Sequence, residues 1–377
     1  MLNILISGAL AFVITFFAIP IIIQVARQKK LFDEPDERKV HKVVIPTLGG
    51  LGIFAGFILA MLLGVPKTTI NTELQYFAAA AIVIFFVGIK DDILILSASK
   101  KFLGQLIAAC IIIKFGGVHL TNMHGFLGLS TIPRIASGIL TLFTVLVIIN
   151  SFNLIDGIDG LAGSLGLLTT LIFGTYFFYA GDIMYSIMAF SMAGSLIGFL
   201  FYNFSPAKIF MGDTGSLLIG LVNSILVIKF INIAGNPAST VFFPSAPAIG
   251  FAILIVPLFD TLRVFSLRLL DKRSPFSADR THVHHFLLDL GLTHRTITIS
   301  CVGANLAFIA LAFLLRNMGT TIVIVALLAA AFVSTLIIYY SRPKNKFESN
   351  NNKNIPAPAV VKTAKILTLV TERAESK

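Results

Sequence analysis

Asn150-Ser-Phe-Asn-Leu-Ile-Asp-Gly-Ile-Asp-Gly-Leu-Ala-Gly163 decides the fold, because it follows the apolar run Ile139–Ile149 with no soluble linker between them. It sets two Asn, two Asp and three Gly at the mouth of a membrane helix. A carboxylate facing lipid costs several kcal/mol, so this cluster must line a wet cavity walled by protein, and by default it marks a functional site. Composition agrees. The chain is 56% hydrophobic and 12% charged, with a mean hydropathy of +0.91, whereas soluble domains carry about a quarter charged residues. A soluble protein is excluded.

Working outward, eleven apolar runs approach the length that crosses a roughly 30 Å hydrocarbon core at 1.5 Å per residue. They lie near 2–25, 47–65, 75–90, 102–116, 135–151, 162–180, 184–202, 214–232, 246–267, 297–315 and 320–340. The first has no basic leader and no small-residue cleavage site, so it reads as a retained helix. Arg27, Lys29 and Lys30 follow it, which holds that end inside and puts Met1 outside. All of the 29 Lys and Arg except Lys67, Lys114, Arg134, Lys229 and Arg316 then fall on the cytoplasmic side. The net charge of +11 is therefore mostly a record of topology, and no nucleic-acid partner is expected. The expected fold is an all-α polytopic membrane protein of about eleven spans, N-terminus outside and C-terminus cytoplasmic, with a small external β-hairpin near 118–132 turning at His124-Gly125. Residues 1–341 form one membrane-embedded domain. Residues 342–377, rich in Asn, Lys and Pro, read as a disordered cytoplasmic tail. Cys110 and Cys301 sit in apolar runs and propose neither a disulfide nor a metal site.

Four polar constellations fall on the cytoplasmic face. Asp91-Asp92 ends the third run, and Lys100-Lys101 opens the fourth; adjacent carboxylates repel unless a cation or metal is near. The opening stretch is the second, with Asn153, Asp156 and Asp159 in a glycine-rich turn where one of the acids could instead cap the next helix. The third is Asn203-Phe-Ser-Pro-Ala-Lys-Ile-Phe-Met-Gly-Asp-Thr-Gly-Ser216, where Asp213, Thr214 and Ser216 stand at a helix N-terminus suited to an anion or a Mg²⁺–phosphate group. The fourth is Arg273 to His285, whose Arg280, His282, His284 and His285 fit a diphosphate better than zinc, for which spaced Cys or carboxylate ligands are missing. Together they describe Mg²⁺-dependent chemistry on phosphates.

The chain resembles the polyprenyl-phosphate N-acetylhexosamine-1-phosphate transferases, the superfamily grouped as glycosyltransferase family 4. Five ordered motifs carry the resemblance: Pro46-Thr-Leu-Gly-Gly50, Asp91-Asp92, Asn153-Leu-Ile-Asp-Gly-Ile-Asp-Gly-Leu161, Phe210-Met-Gly-Asp-Thr-Gly-Ser-Leu217 and His282-Val-His-His285. They span about residues 40–295. The resemblance implies transfer of a sugar-1-phosphate from a UDP-N-acetylhexosamine to undecaprenyl phosphate, releasing UMP, as the first step of a lipid-linked surface glycan. It implies a multi-pass protein of the bacterial inner (cytoplasmic) membrane, its active site facing the cytoplasm, in contact with the lipid bilayer; a homodimer is compatible with it. The implied cofactor is Mg²⁺, with Mn²⁺ as substitute, held by Asp213 and Asn153. Asp91 and Asp92 would hold or deprotonate the lipid phosphate, and Lys101 or its neighbour Lys100 would contact phosphate. Uridine would lie against Asp156, Asp159 and Asn203 with Phe210 stacked on the base, and Lys42 and Thr47 would reach the same pocket. Arg280, His282, His284 and His285 would meet the donor's sugar and diphosphate.

Thr281 and Val283 break the His run, which favours a GlcNAc-type donor over UDP-MurNAc-pentapeptide. A polyprenol-lipid or nucleotide-sugar transporter is the rival of another class. Midplane charges and paired broken helices would mark it, and only Asp260 with Arg263 near Pro257 comes close. Pro257 should kink its helix and open a groove, which by the resemblance is a route for the prenyl tail.

Overall fold

The structure, a computed structural model, describes residues 1–29, 45–66, 72–94, 96–273 and 281–343. Lys42, Lys67, Arg280 and the tail beyond 343 lie outside them. In chain order the elements are α1 (Leu2–Lys29), α2 (Gly49–Gly64), α3 (Thr72–Leu94), α4 (Ala98–Lys114), β1 (Asn122–Phe126), β2 (Leu129–Thr131), α5 (Arg134–Ile155), α6 (Leu161–Ala180), α7 (Ile183–Asn203) and α8 (Gly212–Ala234). There follow α9 (Ala246–Ile253), α10 (Ile255–Leu270), α11 (Val283–Asp289), α12 (His294–Leu315) and α13 (Thr320–Tyr340).

Every apolar run read from the sequence coincides with a helix or with the α9–α10 pair. Among the described residues, seven helices are long and apolar enough to cross a membrane, and the bent pair makes an eighth. The other three apolar runs form α2, α3 and α4. With 16 and 17 residues, α2 and α4 reach only about 24–26 Å at 1.5 Å per residue. The third, α3, has 23 residues, the length of a span, with Lys90, Asp91 and Asp92 near its end.

At the centre stands α8, packed against α2, α3, α5, α6, α7 and α9. Its residues from Thr214 to Ile228 are all buried. Apolar all round, it belongs in the interior of the bundle, whereas α13 keeps most of its surface outward. At the end of α8 remote from Asp213, Lys229 pairs with Glu73 of α3 at 3.1 Å and lies 5.1 Å from the Tyr185 ring centroid. That contact accounts for an acid and a base on the face otherwise poor in charge.

A hairpin forms where expected, with its turn moved. Phe126 pairs with Leu129, so the two-residue loop is Leu127-Gly128, both at positive φ, the geometry that matches strand twist in a tight hairpin. His124 and Gly125 lie within β1, where the register shifts between Asn122 and Phe126. The sequence pointed at the wrong Gly because both positions demand positive φ and only one of them makes the turn.

The ninth apolar run is broken three residues before Pro257. The break falls at Leu254, and α9 and α10 meet there at 84°, while Pro257 sits in the first turn of α10, where proline is tolerated. Pro257 has no N–H for the Ile253 carbonyl. Asn305 of α12, fully buried, replaces it: its Nδ2 donates to Ile253 O at 3.0 Å and its Oδ1 accepts from Val256 N at 3.3 Å. One side chain thus satisfies both backbone groups freed by the break, as a non-aqueous surrounding requires. Asn305→Leu should therefore lower unfolding stability by roughly 1–3 kcal/mol, the cost of orphaning buried backbone groups. A melting temperature in detergent equal to that of the wild type would refute this account of the bend.

Candidate active site

The first N–H groups of α8 open inside the bundle, and its N-cap, Met211, offers no side-chain acceptor. Asp92 supplies one from α3. Its Oδ1 accepts from Asp213 N at 2.7 Å, and its Oδ2 accepts from Thr214 N at 3.1 Å and Thr214 Oγ1 at 2.6 Å. Asp213 is the second residue of the helix. Gly212 has a φ of +71°, and a Cβ there would stand 2.3 Å from Thr47 O and 2.7 Å from Asp92 Oδ1, so no other residue fits.

Three sequence motifs are thereby one packing unit. Phe210 N donates to Pro46 O at 2.7 Å, Gly49 N to Phe210 O at 2.9 Å and Gly50 N to Met211 O at 2.8 Å. A Cβ on Gly50 would lie 2.2 Å from Gly215 N, and one on Gly88 of α3 would lie 2.4 Å from Thr214 Cα. Small residues let α2 and α3 close on the α8 N-terminus from both sides. The half-buried Thr47 and Phe210 flank this junction through their backbones.

Beside it is a cage of oxygens. Lys101 Nζ lies 3.4 Å from Asp91 Oδ2 and 3.1 Å from Asn153 Oδ1, and it forms an ion pair with Asp213 Oδ2. Asn153 Nδ2 donates to Asp213 Oδ1 at 2.7 Å and Ser216 Oγ at 3.0 Å. Four helices, α3, α4, α5 and α8, thus converge on one ammonium. One turn deeper, the Asn150 amide donates to Gln105 Oε1 at 2.8 Å. That amide pair sets the register of α4 on α5 and brings Lys101 to Asn153. Lys100 is exposed and stands apart.

The loop from α5 to α6 divides its two acids. Asp159, 4% exposed, pairs with His294 at 3.1 Å through Oδ1 and accepts from Ala207 N at 3.1 Å through Oδ2. Its carbonyl accepts from Thr298 Oγ1 at 2.9 Å. Asn203 accepts from Gly160 N at 2.9 Å and donates to Ile209 O at 2.8 Å. Both side chains bind this loop to the 203–209 segment and to α12. Neither acid caps α6, whose N-cap is Gly160 at φ +75°. Asp156 differs. Half-buried, it faces Asp213, Asp92 and Asp159; burial and then their repulsion push its carboxyl up to about 8.

The His motif begins at α11 and is pinned by Asp260 of α10. Asp260 accepts from Val283 N at 3.0 Å, meets His282 Nδ1 at 2.8 Å and pairs with Arg263 at 2.7 Å; Arg263 also donates to Thr281 O at 2.6 Å. His284 lies against the acidic loop, since a Cβ on Gly157 would stand 2.8 Å from its Nε2. Burial, and then the neighbouring His285, hold His284 down to about 3, so it is a neutral group. Sequence reading missed His294 and Thr298 as partners of Asp159, and the only trace of them is their place at the start of α12. Behind His284 and Asp260 runs a groove lined by apolar groups including Phe259, Phe308 and Ile338.

Asp91, Lys101, Asn153 and Asp213 are therefore gathered at one point, as the motif order implied. The family described as "Glycosyl transferase family 4" matches residues 74–231. Over 354 residues, 88% of this chain and 87% of the relative, the chain is 33% identical to the decaprenyl-phosphate N-acetylglucosaminephosphotransferase of Mycobacterium tuberculosis (strain ATCC 25618 / H37Rv). The chain belongs to glycosyl transferase family 4. This family 4 member is also 32% identical, over 78% of its length and 80% of the relative's, to the probable undecaprenyl-phosphate N-acetylglucosaminyl 1-phosphate transferase of Bacillus subtilis (strain 168). It is 29% identical, over 76% of its length and 77% of the relative's, to the undecaprenyl-phosphate alpha-N-acetylglucosaminyl 1-phosphate transferase of Escherichia coli (strain K12).

In this family 4 chain, Asp156 is kept neutral below pH 8 against an ordinary value of 3.8. The unfolded chain ionises first, so wild-type stability declines as pH rises between those values and levels off above the upper one. Asp156→Asn should remove that decline. Measured without divalent cations, its melting temperature should exceed the wild type's by a few degrees at pH 8.5 and converge with it near pH 4. A variant no more stable at pH 8.5 would mean that burial and the neighbouring carboxylates do not raise the Asp156 carboxyl.

Proposed function

We propose that this family 4 protein transfers GlcNAc-1-phosphate from UDP-GlcNAc to undecaprenyl phosphate and releases UMP, initiating a lipid-linked surface glycan. A phosphate oxygen of the lipid attacks the sugar-bearing phosphorus of the donor. The bond from that phosphorus to the bridging oxygen breaks, and UMP leaves with the electron pair. The lipid phosphate, with a second pKa near 6, is already largely dianionic at pH 7, so positioning outweighs proton removal.

The observation that carries this reading is the set of oxygens of Asp91, Asn153 and Asp213 around one cationic nitrogen, at the N-terminus of α8. A carboxylate-and-amide oxygen set suits a hard divalent cation. Mg²⁺ is ordinarily held by one or two carboxylates with substrate phosphates completing its shell. Asp213 and Asn153 would hold Mg²⁺, or Mn²⁺ in its place. Bound there, the ion offsets the repulsion between donor diphosphate and acceptor phosphate. Lys101 stays with Asp91 and binds phosphate.

Asp156, free of the scaffold that holds Asp159 and Asn203, meets the uridine, with Phe210 over the base and Thr47 at the edge. Lys42 and Arg280 belong to the same donor pocket on the motif match alone. The groove behind His284 takes the prenyl chain, its apolar lining matched to isoprene units. The eleven-span reading stands with Met1 outside, the charged helix ends at the cytoplasmic face of a bacterial inner membrane and the hairpin outside, on the asymmetry of Lys and Arg. The relatives' names and the interrupted His run favour GlcNAc over MurNAc-pentapeptide. A transporter finds no support in a family of transferases.

The test uses purified protein, undecaprenyl phosphate and radiolabelled UDP-GlcNAc. Label should pass to the lipid fraction with one UMP released per transfer, UDP-MurNAc-pentapeptide should not replace the donor, and Asp213→Asn should lower turnover by about 100–1,000-fold. Label that stays on UDP, or transfer from the MurNAc donor alone, would overturn the reading.

A further inference from the structure

Asp91 and Asp92 are adjacent on α3, so their side chains leave the helix about 100° apart. They reach different neighbours. Asp91 Oδ2 faces Lys101 in the oxygen cage, while its Oδ1 accepts from Leu96 N. Asp92 turns to α8, where both of its oxygens accept hydrogen bonds, three in all, from Asp213 N, Thr214 N and Thr214 Oγ1.

We infer that Asp92 is a positioning residue, a helix cap supplied from a neighbouring helix that fixes Asp213, and that Asp91 is the member of the pair that faces the reacting phosphates. Three features of α8 require such a cap. Its own N-cap provides no side-chain acceptor. Thr214, one residue past Asp213, is fully buried, so water cannot reach its N–H. Gly212 leaves room for the Asp92 carboxylate where any Cβ would collide with it. A negative charge at a helix N-terminus is favourable in itself. A carboxylate whose oxygens are held by three donors of one helix start is poorly placed to take a proton from a substrate, since it would have to release the helix that carries Asp213.

The kinetic arm of the test rests on the transfer reaction proposed above; the melting arm does not. At a temperature well below melting, Asp92→Ala should lower kcat by about 10–100-fold, the loss expected from leaving buried donors unpaired, with KM for both substrates little changed. Asp92→Asn keeps one acceptor for Asp213 N and its amide can donate to Thr214 Oγ1, but Thr214 N loses its acceptor, so only part of kcat should return. Thr214→Val should lower kcat less, and combining it with Asp92→Ala should add little, because the two share one bond. The same non-additivity should appear in melting temperatures without substrate, which remain readable even if the protein transfers no GlcNAc. Asp92→Asn as inactive as Asp92→Ala, with wild-type melting and a fully active Thr214→Val, would overturn the inference and return Asp92 to the phosphates. Additive melting losses for Asp92→Ala and Thr214→Val would overturn it as well.

Discussion

A helix enclosed on every side must still satisfy the N–H groups of its first turn. Here that helix is α8, ringed by α2, α3, α5, α6, α7 and α9, and Thr214 in its first turn is fully buried. Much of the site follows from that constraint. The acceptor has to come from another helix, so α3 ends in acids. The backbones have to close tightly around the junction, so Gly50, Gly88 and Gly212 stand where a Cβ would strike Gly215, Thr214 or Asp92. Once α8 is fixed, Asp213 is fixed with it, and α4 and α5 bring Lys101 and Asn153 to meet it.

The same solution recurs at α11 on a smaller scale. Asp260 of α10 receives Val283 N and holds His282 through Nδ1, while Arg263 balances its charge. Asn305 does the equivalent at the α9–α10 break with a neutral amide. Polar side chains inside this bundle largely serve backbone groups that a lipid surrounding cannot serve. A buried acid in a membrane protein is thus weak evidence for chemistry until its partners are known. Asp159 and Asn203 make the point, since each holds a loop.

What was legible in the sequence was what depends on local composition. Apolar runs located the helices, and the spacing of acids, glycines and histidines located the motifs that meet at the cage. Partners were not legible, because a hydrogen bond across 121 residues, from Asp213 N to Asp92, leaves no local pattern. The hairpin turn was misplaced for a related reason. Gly125 and Gly128 carry the same positive φ, and only the pairing of Phe126 with Leu129 decides which is the turn. The break at Leu254 was assigned to Pro257 because the missing N–H is visible in sequence, whereas the carbonyl it strands, Ile253 O, and its rescuer Asn305 are known only from packing.

The site is built from two environments that ordinarily exclude each other. The cage of Asp91, Lys101, Asn153 and Asp213 is charged and wet, and the groove beside Phe259 and Phe308 is apolar. They are brought close through His284, which lines the groove and touches the acidic loop at Gly157. A charged imidazole could not sit against that apolar wall, and burial keeps this one neutral. On the proposed reaction the acceptor needs both environments at once, its chain in the groove and its phosphate at the cage. The bend at Leu254 starts α10 at this groove, whose wall includes Ile255, Val256, Phe259 and Asp260.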